Sequence, residues 1–302
     1  MNEAKSRVVQ VAAIQMLGNR GVEANIRVAA ERVRQAAADG ARIILLQELF
    51  ADRYFCQLED EALYEQAQTL EDSRLVADFA QIAAELAVVL PISFYERAGN
   101  VFYNSIAILD ADGSLLGVYR KAHIPDGPGY EEKFYFAPGD TGFRVWDTAY
   151  ARIGVGICWD QWFPEAARIM SLLGAELLFY PTAIGSEPLD QSVDSSRHWQ
   201  NCMIGHAAAN LVPVIAANRV GRERMELGGM TSEITFYGHS FMTGPRGEIL
   251  QQAGSSEEVI LHQSYDLEEL GRLRRGWGLY RDRRPDLYGP LLTLDGTTRF
   301  RG

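Results

Sequence analysis

Arg152-Ile-Gly-Val-Gly-Ile-Cys-Trp-Asp-Gln-Trp-Phe-Pro-Glu165 is the stretch on which the fold turns. Arg152 to Ile157 is short and apolar, as a strand buried on both faces requires. Phe163 to Leu173 follows with helical spacing, and Pro164 falls near its first turn, where a missing N–H costs nothing. Strand, tight turn and helix in succession make the repeating unit of an α/β sheet. Cys158 sits in the turn, the geometry of a nucleophile elbow that lifts a side chain out of the sheet. Gly154 and Gly156 let neighbouring backbone come close. The N–H of Trp159, the next residue, is placed to receive a developing oxyanion. A cysteine there is either a buried structural thiol or a nucleophile, and this segment alone does not separate the two.

Working outward, Arg7 to Met16 and Arg42 to Leu46 read as buried strands. Between them Val22 to Asp39 keeps Val22, Ile26, Ala29, Ala30, Val33 and Ala37 at helical spacing until Gly40 stops it. Ser73 is an N-cap for a helix to Leu86. Ala87 to Tyr95 and Phe102 to Leu109 pair through a turn at Ala98-Gly99-Asn100, and Leu115 to Arg120 follows another turn. Lys121 to Thr141 is a long loop, rich in Gly, Pro and Asp, with its own aromatics Tyr130, Phe134, Tyr135 and Phe136. Such loops are usually functional. Phe143 to Asp147, Leu177 to Tyr180, Pro213 to Arg219, Thr235 to Met242 and Val259 to Tyr265 read as further strands, with a helix from about Arg197 to Asn210. The mixture predicts an α/β protein of large mixed sheets covered by helices. With no linker or low-complexity segment, one domain over 1–302 is expected, residues 276–302 forming a C-terminal tail.

The composition, 47% hydrophobic and 23% charged over 302 residues, is that of a globular chain with a full core. No apolar run reaches the ~18 to 20 residues that span a bilayer. Met1 to Arg7 is polar without a signal-peptide core, so a cytoplasmic protein is expected. Three cysteines are too few and odd for a disulfide framework. A formal charge of −11 argues against nucleic acid. The basic run from Arg272 to Arg284 is interleaved with Asp282, and it reads as a salt-bridged surface or subunit contact. No HExxH, paired CxxC or clustered histidine suggests a metal site.

A thiol becomes a nucleophile only with a base or cation beside it. None of the five histidines lies in a recognised protease signature. Glu48 and Lys121 each follow an apolar strand directly, as Cys158 does, and carboxyl ends of neighbouring strands converge in α/β folds. Glu48 could take the thiol proton and later activate water, and Lys121 could hold an oxyanion. Taken singly, each is equally a solvated charge.

Together, Gln47-Glu48-Leu49-Phe50, Arg120-Lys121-Ala122-His123 and Gly156-Ile157-Cys158-Trp159-Asp160 resemble the nitrilase (carbon–nitrogen hydrolase) superfamily, from Val11-Ala-Ala-Ile-Gln15 to Gly276-Trp-Gly278. The resemblance implies a four-layer α-β-β-α sandwich, two mixed sheets flanked by helices. It also implies a Glu48–Lys121–Cys158 triad without cofactor, a homo-oligomer, and a second glutamate near the lysine, which Glu132 matches better than Glu131. Lys121-Ala-His-Ile-Pro-Asp-Gly-Pro-Gly-Tyr130, Pro181-Thr-Ala-Ile-Gly-Ser-Glu-Pro188, Thr235-Phe-Tyr-Gly-His-Ser-Phe241 and Arg281-Asp-Arg-Arg-Pro-Asp-Leu-Tyr288 resemble the branch that hydrolyses N-carbamoylputrescine. Ala122 stands where that branch leads one to expect a bulkier apolar residue. A small cationic carbamoyl-amine substrate would need a carboxylate for its ammonium, since an unpaired buried charge is costly. Glu187 is preferred, with Asp190 and Asp126 as alternatives. Tyr54, Tyr130, Trp159 and Phe134 could wall the channel for its carbon chain, or simply pack the core.

Overall fold

The computed structural model describes residues 6–190 and 192–297. Residues 1–5 of the polar N-terminus and 298–302 of the expected tail lie outside them. In chain order the elements are β1 (Val8–Gln15), α1 (Val22–Ala38), β2 (Ile43–Leu45), α2 (Arg74–Leu86), β3 (Leu90–Ala98), β4 (Val101–Leu109), β5 (Leu115–Arg120) and α3 (Glu132–Tyr135). There follow β6 (Val145–Asp147), β7 (Arg152–Val155), α4 (Pro164–Leu172), β8 (Leu177–Pro181), α5 (Ser196–Asn210) and β9 (Val214–Ala217). The chain continues with β10 (Val220–Leu227), β11 (Met230–Tyr237), β12 (Phe241–Thr243), β13 (Ile249–Gln252), β14 (Val259–Asp266) and α6 (Leu267–Trp277).

Two mixed sheets form the middle layers. One runs β14-β1-β2 and continues into β3-β4-β5, because Ile44 N–H donates to the Val89 carbonyl at 3.0 Å and Val89 N–H to that of Arg42 at 2.8 Å. The other runs β13-β12-β9-β8-β7-β6, parallel from β7 to β9 and antiparallel outside. The two-residue period of a strand explains the layering. Along β1, Val11 and Ala13 enter the core between the sheets, while Ala12 and Ile14 turn to α1 and α2. Along β8, Leu177 and Phe179 face the other sheet, while Leu178 and Tyr180 meet Met170 of α4 and Trp199 and Met203 of α5. Both faces are therefore apolar, which is why these strands read as unbroken hydrophobic runs. The architecture is the expected α-β-β-α sandwich.

Ser73 caps α2 as anticipated, its hydroxyl accepting from Val76 N–H at 3.3 Å. One reading of the chain needs correction. Thr235 to Met242 is not one strand. Gly238 and His239 take positive φ (62° and 53°), ending β11 and handing the chain to β12 in a different sheet. The long hairpin of β10 and β11 also went unread. Its strands mix charged with apolar residues, and its turn at Gly228-Gly229 was the available signal.

Candidate active site

Two strand ends, a strand interior and the long loop bring four polar side chains into one buried cluster. Glu48 follows β2, Lys121 follows β5 immediately, Asn104 lies in β4, and Glu132 opens α3 within the long loop. Lys121 Nζ donates to Glu48 Oε1 at 2.8 Å and to Glu132 Oε2 at 2.6 Å. Asn104 Nδ2 donates to Glu48 Oε1 at 2.7 Å, and Tyr54 OH to Glu132 Oε1 at 2.7 Å. All five residues are buried. Glu48 Oε2, also buried, has no protein partner among the described residues.

Two carboxylates around one ammonium leave the cluster negative. Burial opposes the charge on Lys121, yet Glu132 and Glu48 hold its ammonium well above the usual range. Burial pushes the Glu132 carboxyl up to about 7 against the pull of Lys121. Burial pushes the Cys158 thiol well above its ordinary value, Glu48 adding to the rise and Lys121 opposing it. At neutral pH Cys158 is therefore a thiol, donating to the Ala183 carbonyl at 3.8 Å.

Cys158 itself has φ of +40°, a left-handed conformation that strains a side-chain-bearing residue. Asp160, fully buried, holds the turn closed. Its carboxylate accepts from Ile157 N–H at 2.9 Å, His123 N–H at 3.0 Å and Tyr119 OH at 2.7 Å, with His123 Nδ1 at 2.7 Å. The His123 ring stacks on Phe163 at 3.6 Å between centroids. Asp160 lay inside the quoted motif, but nothing local in the sequence marked it as the hub.

Of the remaining expected residues, Tyr54 and Tyr130 meet, their rings 5.8 Å apart. Tyr130 OH accepts from Gly185 N–H at 3.1 Å and donates to the Ser186 carbonyl at 3.2 Å. Glu187, the next residue, is half-buried, and burial raises its carboxyl above the ordinary range. Burial, followed by the Glu187 charge, pushes the Tyr130 phenol up. Trp159 is 40% exposed, edge-on to Trp162. The structure does not bring Asp190 or Asp126 into this cluster. Asp190 is exposed and its Oδ1 accepts from Ser192 N–H and Oγ, while Asp126 is exposed on the loop. Asn104, Asp160, Arg219 and Glu223 were not read from the sequence as site residues. Among the described residues, no group of three His, Cys, Asp or Glu side chains could hold a metal ion, and no helix is long and apolar enough to cross a membrane.

The carbon-nitrogen hydrolase family profile matches residues 10–275, and the chain belongs to that family. It is 56% identical to an N-carbamoylputrescine amidase of Solanum tuberosum, over 97% of this chain and 98% of that one. It is 50% identical to a citrullinase of Francisella tularensis, over 94% and 98% respectively. Among solved structures, a carbon-nitrogen hydrolase from Helicobacter pylori superposes with a TM-score of 0.88 at 41% identity, over 95% of this chain and 99% of that one.

Proposed function

We propose that the protein hydrolyses N-carbamoylputrescine to putrescine, ammonia and carbon dioxide through a covalent intermediate on Cys158. The observation that carries this reading is a buried lysine held between two carboxylates beside a cysteine on a strained elbow. The 56% identity to the plant amidase supports the substrate.

The thiol rests protonated, so a base must remove its proton for sulfur to attack. Glu48 Oε2, without a hydrogen-bond partner among the described residues, takes the thiol proton as sulfur attacks the ureido carbon. Lys121 and the Trp159 N–H hold the oxyanion that forms. Glu48 returns the proton to the leaving nitrogen, then takes one from water as the hydroxide displaces sulfur, and passes it to the departing thiolate to restore the resting thiol. Glu132 keeps Lys121 charged and in place throughout. The carbamic acid released at the end loses carbon dioxide. Glu187 receives the substrate ammonium, and Tyr54 and Tyr130 line the channel. The protein works in the cytoplasm as a homo-oligomer, to which the exposed tail side chains Trp277, Leu287, Leu291 and Leu292 contribute.

A second reading is a carbamoylated amino acid, favoured by the 50% identity to the citrullinase. Citrulline adds a carboxylate beside its ammonium, whereas N-carbamoylputrescine carries the ammonium alone. Ammonia release from N-carbamoylputrescine, citrulline and β-ureidopropionate separates the readings. The proposal expects the first to be the best substrate by kcat/KM. Glu187→Gln should raise its KM on the order of tenfold or more, the effect of losing one charge-assisted contact. Preferred turnover of citrulline or β-ureidopropionate would overturn it.

A further inference from the structure

Behind the candidate active site lies a second buried ion pair, and it touches the backbone of the residue that carries the proton. Arg219, just after β9, is fully buried, and Glu223 in β10 nearly so. Arg219 Nη1 donates to Glu223 Oε1 at 2.9 Å. Arg219 Nη2 donates to the carbonyls of Glu48 at 3.1 Å and Leu49 at 2.5 Å. Leu49 has φ of +46°, so the guanidinium caps the carbonyl of a strained residue next to Glu48. The other oxygen of Glu223, Oε2, accepts from Tyr54 N–H at 2.5 Å.

Followed from residue to residue, these bonds close on themselves. The Glu48 backbone leads through Arg219 and Glu223 to Tyr54. The Tyr54 hydroxyl leads to Glu132, and Glu132 through Lys121 back to the Glu48 side chain. The space for the guanidinium is reserved by Gly18. A Cβ there would lie 2.1 Å from Arg219 Nη1 and 2.6 Å from Glu223 Oε1. A buried ion pair is weak evidence for stability, because well-packed apolar residues often replace it without loss. Its worth lies in what it orients.

We propose that Arg219 and Glu223 are positioning residues for the hydrolysis, a clamp at the root of the β10–β11 hairpin that fixes Glu48 and Tyr54 relative to Cys158. The proposal rests on the reading of Glu48 as the proton-transfer group. Neither residue touches substrate. The planar fork of Arg219 is required, because it meets two carbonyls and a carboxylate at once.

The test is the double variant Arg219→Met/Glu223→Gln, which removes both charges together and so avoids leaving one buried alone. Arg219→Lys is its companion, keeping the charge but not the fork. Both are first shown to be folded by circular dichroism and thermal melting. Turnover of N-carbamoylputrescine should then lose on the order of 10²-fold in kcat, as misplacement of a reacting group does, with KM changed less than about threefold. Arg219→Lys should recover only part of kcat. Iodoacetamide labelling of Cys158, followed by peptide mass against pH, reads the same displacement without turnover. Burial, and after it the Glu48 charge, raises the Cys158 thiol in the parent, so a displaced Glu48 should shift its half-labelling pH in the double variant. A folded double variant whose kcat and labelling profile both match the parent would overturn the clamp. If the parent itself fails to turn over N-carbamoylputrescine, the proposed substrate fails, and the labelling profile alone decides the clamp.

Discussion

Replacing Tyr54 by Phe removes one oxygen from the centre of the site and little else. The ring keeps its place against Tyr130 and Phe236, at 5.8 and 5.9 Å between centroids. What disappears is the hydroxyl that donates 2.7 Å to Glu132 Oε1 in a fully buried setting. A hydrogen bond to a charged group contributes about 1.5 to 3 kcal/mol. At 1.36 kcal/mol per pH unit, its loss moves the carboxyl up by roughly one to two pH units. Glu132 already stands at about 7 because of burial, with Lys121 pulling it down and Glu48 pushing it up. The sign follows from which form the bond stabilises. Tyr54 donates to the ionised carboxylate, so without it the protonated form gains and a higher pH is needed to ionise Glu132. The acid limb of kcat/KM therefore moves to higher pH. From half-ionised at pH 7, the variant should lose about 5- to 50-fold there and less than about twofold near pH 9.5. Lys121 stays charged over that span, because Glu132 and Glu48 outweigh its burial. Initial rates from pH 5.5 to 9.5 test this. An equal loss at every pH, or an acid limb moved to lower pH, would refute the assignment of Glu132 as the carboxylate that must be ionised.

Asp160→Asn swaps one acceptor oxygen of the elbow hub for a donor, facing backbone and side-chain donors that Asp160 now satisfies. Stability should fall by about 3 kcal/mol in urea unfolding, and kcat should fall more than tenfold as Cys158 leaves its strained turn. An unchanged midpoint would remove Asp160 from its role. Gly156→Ala places a Cβ 2.8 Å from Cε1 of the fully buried Tyr180, so thermal unfolding should show an overpacking cost of about 1 to 3 kcal/mol. A melting temperature equal to the parent's would mean that Tyr180 has room to move.

The layers of the fold were legible because β1 and β8 are buried on both faces, and such strands announce themselves as apolar runs. Glu48, Lys121 and Cys158 were legible as candidates because each is a chemically capable residue just past the end of a strand, β2, β5 and β7 respectively. Glu132 needed the resemblance, since α3 is a single turn inside a loop with no periodicity of its own. Arg219 and Glu223 were not legible at all. In β10 a buried glutamate alternates with exposed arginines, so charge pattern alone suggests solvent on both faces. Only the partner across 171 residues of chain, the carbonyl of Glu48, reveals that Arg219 turns inward. Asp190 shows the opposite case. It lies in the loop that supplies Glu187, yet the Ser192 N–H and hydroxyl satisfy its carboxylate locally.

The central claim is that Cys158 carries the hydrolysis of a carbamoylated amine. Ammonia release from N-carbamoylputrescine by the parent and by Cys158→Ala, at equal folded concentration and neutral pH, tests it most directly. The account predicts steady turnover by the parent and a loss on the order of 10³-fold or more in the variant, as removal of a covalent nucleophile produces. Turnover by Cys158→Ala within tenfold of the parent would contradict it, whatever the geometry around Lys121.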